Sequence, residues 1–224
     1  MASEDGRSSP YAFWAFYTLY RKLKGTGIKV SFDEMCEKLY PDYPVDVNSN
    51  TSLFVTWKKK SRGRNEYHLR GCIGTFGKLP VVQGVEKYSL VAALQDRRFP
   101  PITAAELDHL KCSCNILHSF ETIYNGKGDI YDWQVGKHGI ELEFRNPRTG
   151  GTLSSTFLPE VMPEQGWDQR ETFLNLIEKA GVYTGAEDIL EDHQRYFIKV
   201  VRYEGNKSAI AFAEFEQRLA ELEG

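Results

Sequence analysis

Along the chain, apolar residues first crowd into Tyr11-Ala-Phe-Trp-Ala-Phe-Tyr-Thr-Leu-Tyr20, a run too long and too aromatic for an edge strand. Ser9 can cap it, and Pro10 falls in the first turn, where a missing N–H costs nothing. The pattern predicts a mostly buried helix over about 10–23. Ser31-Phe-Asp-Glu34 has the spacing of a capping box, so a shorter helix should run to Leu39. Pro41, Pro44 and the polar residues 46–52 then make a surface loop. Leu53-Phe-Val-Thr-Trp57 and residues 67–75 are strand-like, while Val81, Val82, Val85, Leu90, Ala93 and Leu94 recur at helical spacing behind Pro80. That helix should reach Asp96 and break at Phe99-Pro-Pro101, because each proline biases its predecessor away from the helical basin.

Thr103-Ala-Ala-Glu106 is a second capping box, opening one helical turn. Residues 110–117, 140–144, 152–157 and 196–203 read as strands, and Asn146-Pro-Arg-Thr-Gly-Gly151 suits a hairpin loop between the middle two. Asp168 with Glu171 opens a helix over 169–180, which Gly181 ends. A closing helix carries Phe212, Phe215 and Leu219. Strands come in hairpin-length pairs with helices inserted between groups. That order predicts an α+β fold of mainly antiparallel sheets with flanking helices, rather than a doubly wound parallel sheet.

Composition narrows the class without naming a function. Of 224 residues, 41% are hydrophobic and 26% charged, as in ordinary soluble globular proteins. The formal charge of −3 lacks the domain-wide positive field of a nucleic-acid binder. No stretch approaches the ~18 uninterrupted apolar residues of a bilayer crossing, so no membrane partner is expected. The first nine residues are polar, lack the apolar core of a secretory signal and should be disordered. The four cysteines are expected to stay reduced.

Candidate chemistry centres on Leu69-Arg-Gly-Cys-Ile-Gly-Thr-Phe-Gly77. Glycine in a strand forfeits packing and backbone entropy, so Gly71, Gly74 and Gly77 need a reason. In one reading, bare amides form an anion-binding nest beside Arg70, and Cys72 is a nucleophile favoured by the nearby cation. In the other, the glycines permit a bulge or tight packing beneath a helix, and Cys72 is a small apolar group. Neither a phosphate loop nor a dinucleotide fingerprint is present, and no metal-binding spacing appears: Cys112 and Cys114 are two apart on a strand and lack a second pair. Arg97 and Arg98 could clamp a carboxylate or phosphate, or neutralise a helix end. His138, on a glycine-flanked turn, could be a general base or could only make hydrogen bonds. The basic run Lys58, Lys59, Lys60, Arg62 and Arg64 reads as an import or phosphate-binding patch, or as a solvated hairpin tip. The proline-punctuated residues 158–168, with Trp167, could wall a cleft.

Together, Leu53-Phe-Val-Thr-Trp57, Leu69-Arg-Gly-Cys-Ile-Gly-Thr-Phe76, Arg98-Phe-Pro-Pro101, Asp132-Trp-Gln-Val-Gly-Lys-His-Gly-Ile140, Glu164-Gln-Gly-Trp-Asp168 and Ile198-Lys-Val-Val-Arg-Tyr203 resemble the AMMECR domain family, from about Tyr11 to Phe215. The resemblance implies one domain over 10–224 made of two lobes, with the glycine-cysteine motif lining a cleft. It implies eukaryotic location in nucleus and cytoplasm, and no accepted activity or cofactor. The expectation is a small anionic ligand, bound or transformed: Arg70, Gly71, Gly74, Thr75, Arg98 and Trp167 would bind it, and Cys72 and His138 would be the catalytic candidates. The alternative is a non-catalytic module contacting nucleic acid or an unidentified protein.

Overall fold

The structure is a computed structural model that describes residues 8–25, 30–45, 49–61 and 66–224. Arg62 and Arg64 of the basic run, most of the N-terminal segment and part of the 46–52 loop lie outside the described residues. In chain order the elements are α1 (Pro10–Lys24), α2 (Phe32–Leu39), β1 (Asn50–Lys60), β2 (Tyr67–Pro80), α3 (Val81–Leu94), a 3-10 helix (Ala104–His109) and β3 (Leu110–Tyr124). Then come β4 (Gly139–Arg145), β5 (Thr152–Phe157), α4 (Val161–Gln165), α5 (Gln169–Lys179), α6 (Ala186–Glu191), α7 (His193–Tyr196), β6 (Phe197–Ala211) and α8 (Phe212–Glu223). The α+β class is as expected, and the strands join one six-stranded sheet in the order β2-β1-β3-β6-β4-β5. The pairs β1/β2, β4/β5 and β4/β6 are antiparallel.

Local signals placed the helix starts. Ser9 caps α1 with its hydroxyl on the Ala12 amide, and Pro10 stands at the first helical position. Capping boxes close at Ser31/Glu34, Thr103/Glu106 and Asp168/Glu171. Gly181, at φ +100°, takes the left-handed conformation just past α5. The strands run further than their apolar patterns suggest. Lys58, Lys59 and Lys60 stay paired to residues 67–69, and β3 and β6 reach Tyr124 and Ala211, because ladder hydrogen bonds belong to the backbone and ignore side-chain polarity. Within β3, Ser119 alone among the described non-glycine residues has positive φ, at +55°.

The chain divides into two units. In the first (Met1–Ile116 with Asn206–Gly224), α1 supplies an almost wholly buried aromatic face. Phe16 stacks on Phe215 at 4.5 Å and meets the Trp57 indole edge-on at 5.2 Å. Burying such rings is worth several kcal/mol each by area. In the second (Leu117–Gly205), Phe144, Phe173, Phe197 and Trp133 form a separate core under α5 and α6.

Candidate functional site

Strand β2 lies at one edge of the sheet, and two glycines let other backbone approach it closely. A Cβ on Gly71 would stand 2.1 Å from the Ala92 carbonyl oxygen of α3, far inside van der Waals contact. Opposite Gly71 in register is Trp57, fully buried, whose indole N–H donates to the Ser89 carbonyl of α3 at 2.9 Å. Gly74 is likewise closed to a side chain, with Leu53 carbonyl oxygen 2.3 Å from a Cβ there. Both glycines therefore have a packing reason. The open amides of the nest reading are not found at Cys72: its N–H donates to Asp96 Oδ2 at 2.9 Å.

The carbonyl of Cys72 accepts from Arg98 Nη2 at 3.1 Å. In an antiparallel strand a residue's N–H and C=O point to the same side, so Cys72 turns both away from β1. The Thr56–Cys72 pair is then the non-hydrogen-bonded kind, in which side chains stand closest. That closeness brings the Thr56 hydroxyl within 3.1 Å of the Cys72 sulfur, to which it donates. Asp96, its side chain only 4% exposed, also accepts from Arg98 Nε at 3.0 Å and Nη2 at 2.7 Å. These Arg98 hydrogen bonds, with those from the two backbone amides, hold its carboxyl well below the usual carboxylate range against the opposing effect of burial. The Arg98 side chain is 55% exposed, so this guanidinium is both fixed and reachable.

Arg70 has a different fate. Trp57 pairs with Gly71 and Lys58 with Leu69, so Arg70 is the extra residue of a β-bulge, which re-aims its side chain. Its Nε and Nη2 donate to Glu106 at 3.0 and 3.1 Å, and Nη1 donates to the Pro100 carbonyl at 2.7 Å. Lys59 joins the same carboxylate at 2.8 Å. Burial works to raise the Glu106 pKa, but the hydrogen bonds from Arg70 and Lys59 prevail and bring it to about 2. Arg70 is thus a buried tie between β2 and the 3-10 helix. Thr75 accepts the Gly77 N–H at 3.0 Å, a local turn at the exit of the motif.

The sheet face away from the helices carries more polar groups. Cys112 and Cys114 belong to the apolar core, and Ser113 and Asn115 alternate with them onto the face that Thr56 and Cys72 share. Asn115 is 6% exposed and its Oδ1 is buried with no hydrogen-bond partner. Among the described residues, no group of three or more His, Cys, Asp or Glu could hold a metal. Burial pushes the Cys36 and Cys114 thiols up to about 12 and raises the Cys112 thiol as well; all four cysteines are unbridged.

His138 and Trp167 belong to the second unit. His138 is buried, and its Nδ1 accepts the Gln134 N–H at 2.9 Å, so the neutral ring carries its proton on Nε2, 3.8 Å from Glu204. Its Nδ1 lone pair is already engaged, so taking a further proton would break that hydrogen bond. Burial, then the cations Lys137 and Arg202, hold its pKa below the ordinary value. The hollow that His138 lines and the hollow that Arg70 lines have no residue in common. Trp167 is half-buried with its ring 5.3 Å from Phe157. Sequence reasoning missed Thr56 and saw Glu106 only as a cap; their partners lie 16 and 36 residues away, beyond any local pattern.

A model of the AMMECR1 family matches residues 14–208. An uncharacterised protein of Saccharomyces cerevisiae is 53% identical over 96% of this chain and 91% of its own. An uncharacterised protein of Arabidopsis thaliana is 41% identical over 77% of this chain and 76% of its own. The crystal structure of an uncharacterised protein from Pyrococcus horikoshii superposes with a TM-score of 0.60 at 26% identity, covering 87% of each chain. With the family's match spanning nearly the whole length and relatives this close, the chain belongs to the AMMECR1 family.

Proposed function

We propose that the domain binds a small anionic ligand at the outer edge of β2, with Arg98 supplying the charge and Cys72 a contact. One observation carries this reading: a half-exposed guanidinium is held rigid by a buried carboxylate beside a thiol that is only partly buried. Preorganisation of that kind reduces the ordering cost of binding, and Arg suits planar or tetrahedral oxyanions. Two residues along, with the register unbroken, Gly74 turns its N–H to the same outer side as Cys72, about 7 Å further on. A ligand reaching from Arg98 to that amide would pass Cys72. Arg70 and Gly71 act here by shaping β2, and His138 and Trp167 take no part in the binding step.

The test is a thermal-shift panel of small carboxylates on the full chain, alongside the rate of iodoacetamide labelling at Cys72. A genuine ligand should raise the melting temperature, slow labelling of Cys72, and lose both effects in Arg98→Gln. If wild type and Arg98→Gln respond alike to every compound, the reading fails.

A further inference from the structure

We infer a second anion site, for the phosphoryl group of a phosphate monoester, in the hollow where β1 ends and β2 begins. The hollow is about 560 Å³, inside the ~300–1,000 Å³ range of small-ligand sites. Its walls are the end of β1, the start of β2 and the 3-10 helix, and Lys59, Lys60, His68, Arg70 and His109 all border it. It shares no group with the Arg98–Cys72 edge and rests on a different observation.

That observation is a carboxylate that can neutralise nothing more. Glu106 accepts from Lys59, from Arg70 twice, and from the Thr103 amide and hydroxyl, at 2.8 to 3.2 Å. Five donors exceed the about four lone-pair sites of a carboxylate. Lys59 and Arg70 together outweigh its single charge, and Lys60 adds another cation with no ion pair to any described residue. His68 stands directly opposite Lys59 across the ladder and borders the same hollow. Its outer neighbour is Glu66 at 4.0 Å, and that of His109 is Asp108 at 3.8 Å. Both carboxylates are beyond hydrogen-bond reach, exposed, and not among the residues that border the hollow. An anion seated among Lys59, Lys60 and Arg70 takes up the positive charge that Glu106 leaves over.

The donor set selects the anion. Two ammonium groups, two imidazoles and the Ser61 hydroxyl are single-point donors arriving from three elements, which suits a tetrahedral group with several oxygens better than a planar carboxylate. Leu69, 41% exposed on the same wall, offers apolar contact to the rest of the molecule. The ligand class is therefore a phosphate ester bearing an apolar or ring portion.

The full chain should be titrated with phenyl phosphate and with inorganic phosphate by calorimetry at fixed ionic strength. Saturable binding is expected, tighter for phenyl phosphate and weakened at least tenfold in both Lys60→Gln and His109→Gln. Lys127→Gln, which removes an equal charge from an exposed position in the other unit, should bind as wild type. Absence of saturable binding at millimolar phosphate, an equal response to sulfate and chloride, or undiminished binding in Lys60→Gln would overturn the site. So would binding of a single-stranded oligonucleotide without binding of phenyl phosphate. Because Arg98 is intact in every variant, failure here leaves the edge of β2 to be judged separately.

Discussion

Gly71 shows how one hydrogen atom decides a packing distance. With the Ala92 carbonyl oxygen 2.1 Å from where a Cβ would sit, Gly71→Ala must push α3 off β2. The expected loss is about 3 kcal/mol in a urea melt, at the upper end of overpacking costs. Gly77→Ala meets only the side-chain oxygen of Thr75 at 3.3 Å and should cost less than about 0.5 kcal/mol. Equal losses at both positions would refute the packing account. Arg70, 9% exposed, carries a second residue-level expectation. Arg70→Ala leaves Glu106 and the Pro100 carbonyl facing a void, so destabilisation of about 3 kcal/mol is expected by denaturation. An Arg70→Ala variant as stable as wild type would contradict the buried tie.

At the scale of elements, β2 is an edge strand whose exposed N–H and C=O groups invite pairing with other chains. The turn after α3 answers this at Cys72, where Asp96 and Arg98 take the two groups a neighbouring strand would take. Asp96→Ala should therefore speed hydrogen exchange of the Cys72 amide by about tenfold or more, while amides within α5 keep their rates. Unchanged exchange at Cys72 would show that the edge is guarded by something else. Elements also differ in how far the sequence discloses them. Helix starts were legible because a cap such as Ser31 with Glu34 is complete within four residues. Strand lengths were not: Lys58–Lys60 look like a loop by polarity, yet they are held by partners on β2. The short helices α6 and α7 escaped because neither has a side-chain cap and each is too brief to show a period.

At the scale of the whole molecule, Asp96, Glu106 and His138 lead the response to acid. Asp96 and Glu106 have folded pKa values below their unfolded ones, Glu106 at about 2. Their stabilisation is present above roughly pH 4 and is lost as pH falls through the folded values. His138, also depressed, favours the neutral ring in the fold, so stability declines as pH drops below about 6.5 and levels off below its folded value. Melting temperature should be level between about pH 7 and 8, fall modestly below pH 6.5 and steeply below about pH 4, and fall again above about pH 8.5, where the thiols buried in the fold ionise first in the unfolded chain. His138→Gln should remove the first step alone; its persistence in that variant would assign it to another group.

By itself the sequence determined the α+β class, the starts of the capped helices, the kinship and the unusual β2 segment, since each is written in neighbouring residues or in a linear motif. Tertiary structure alone decided what that segment does. It gave the glycines to α3, matched Arg70 with Glu106 and Arg98 with Asp96, and put Thr56 against the Cys72 sulfur. Whether a guanidinium faces a ligand or a carboxylate of its own chain depends on partners brought together by folding, and no local pattern of residues encodes that distance.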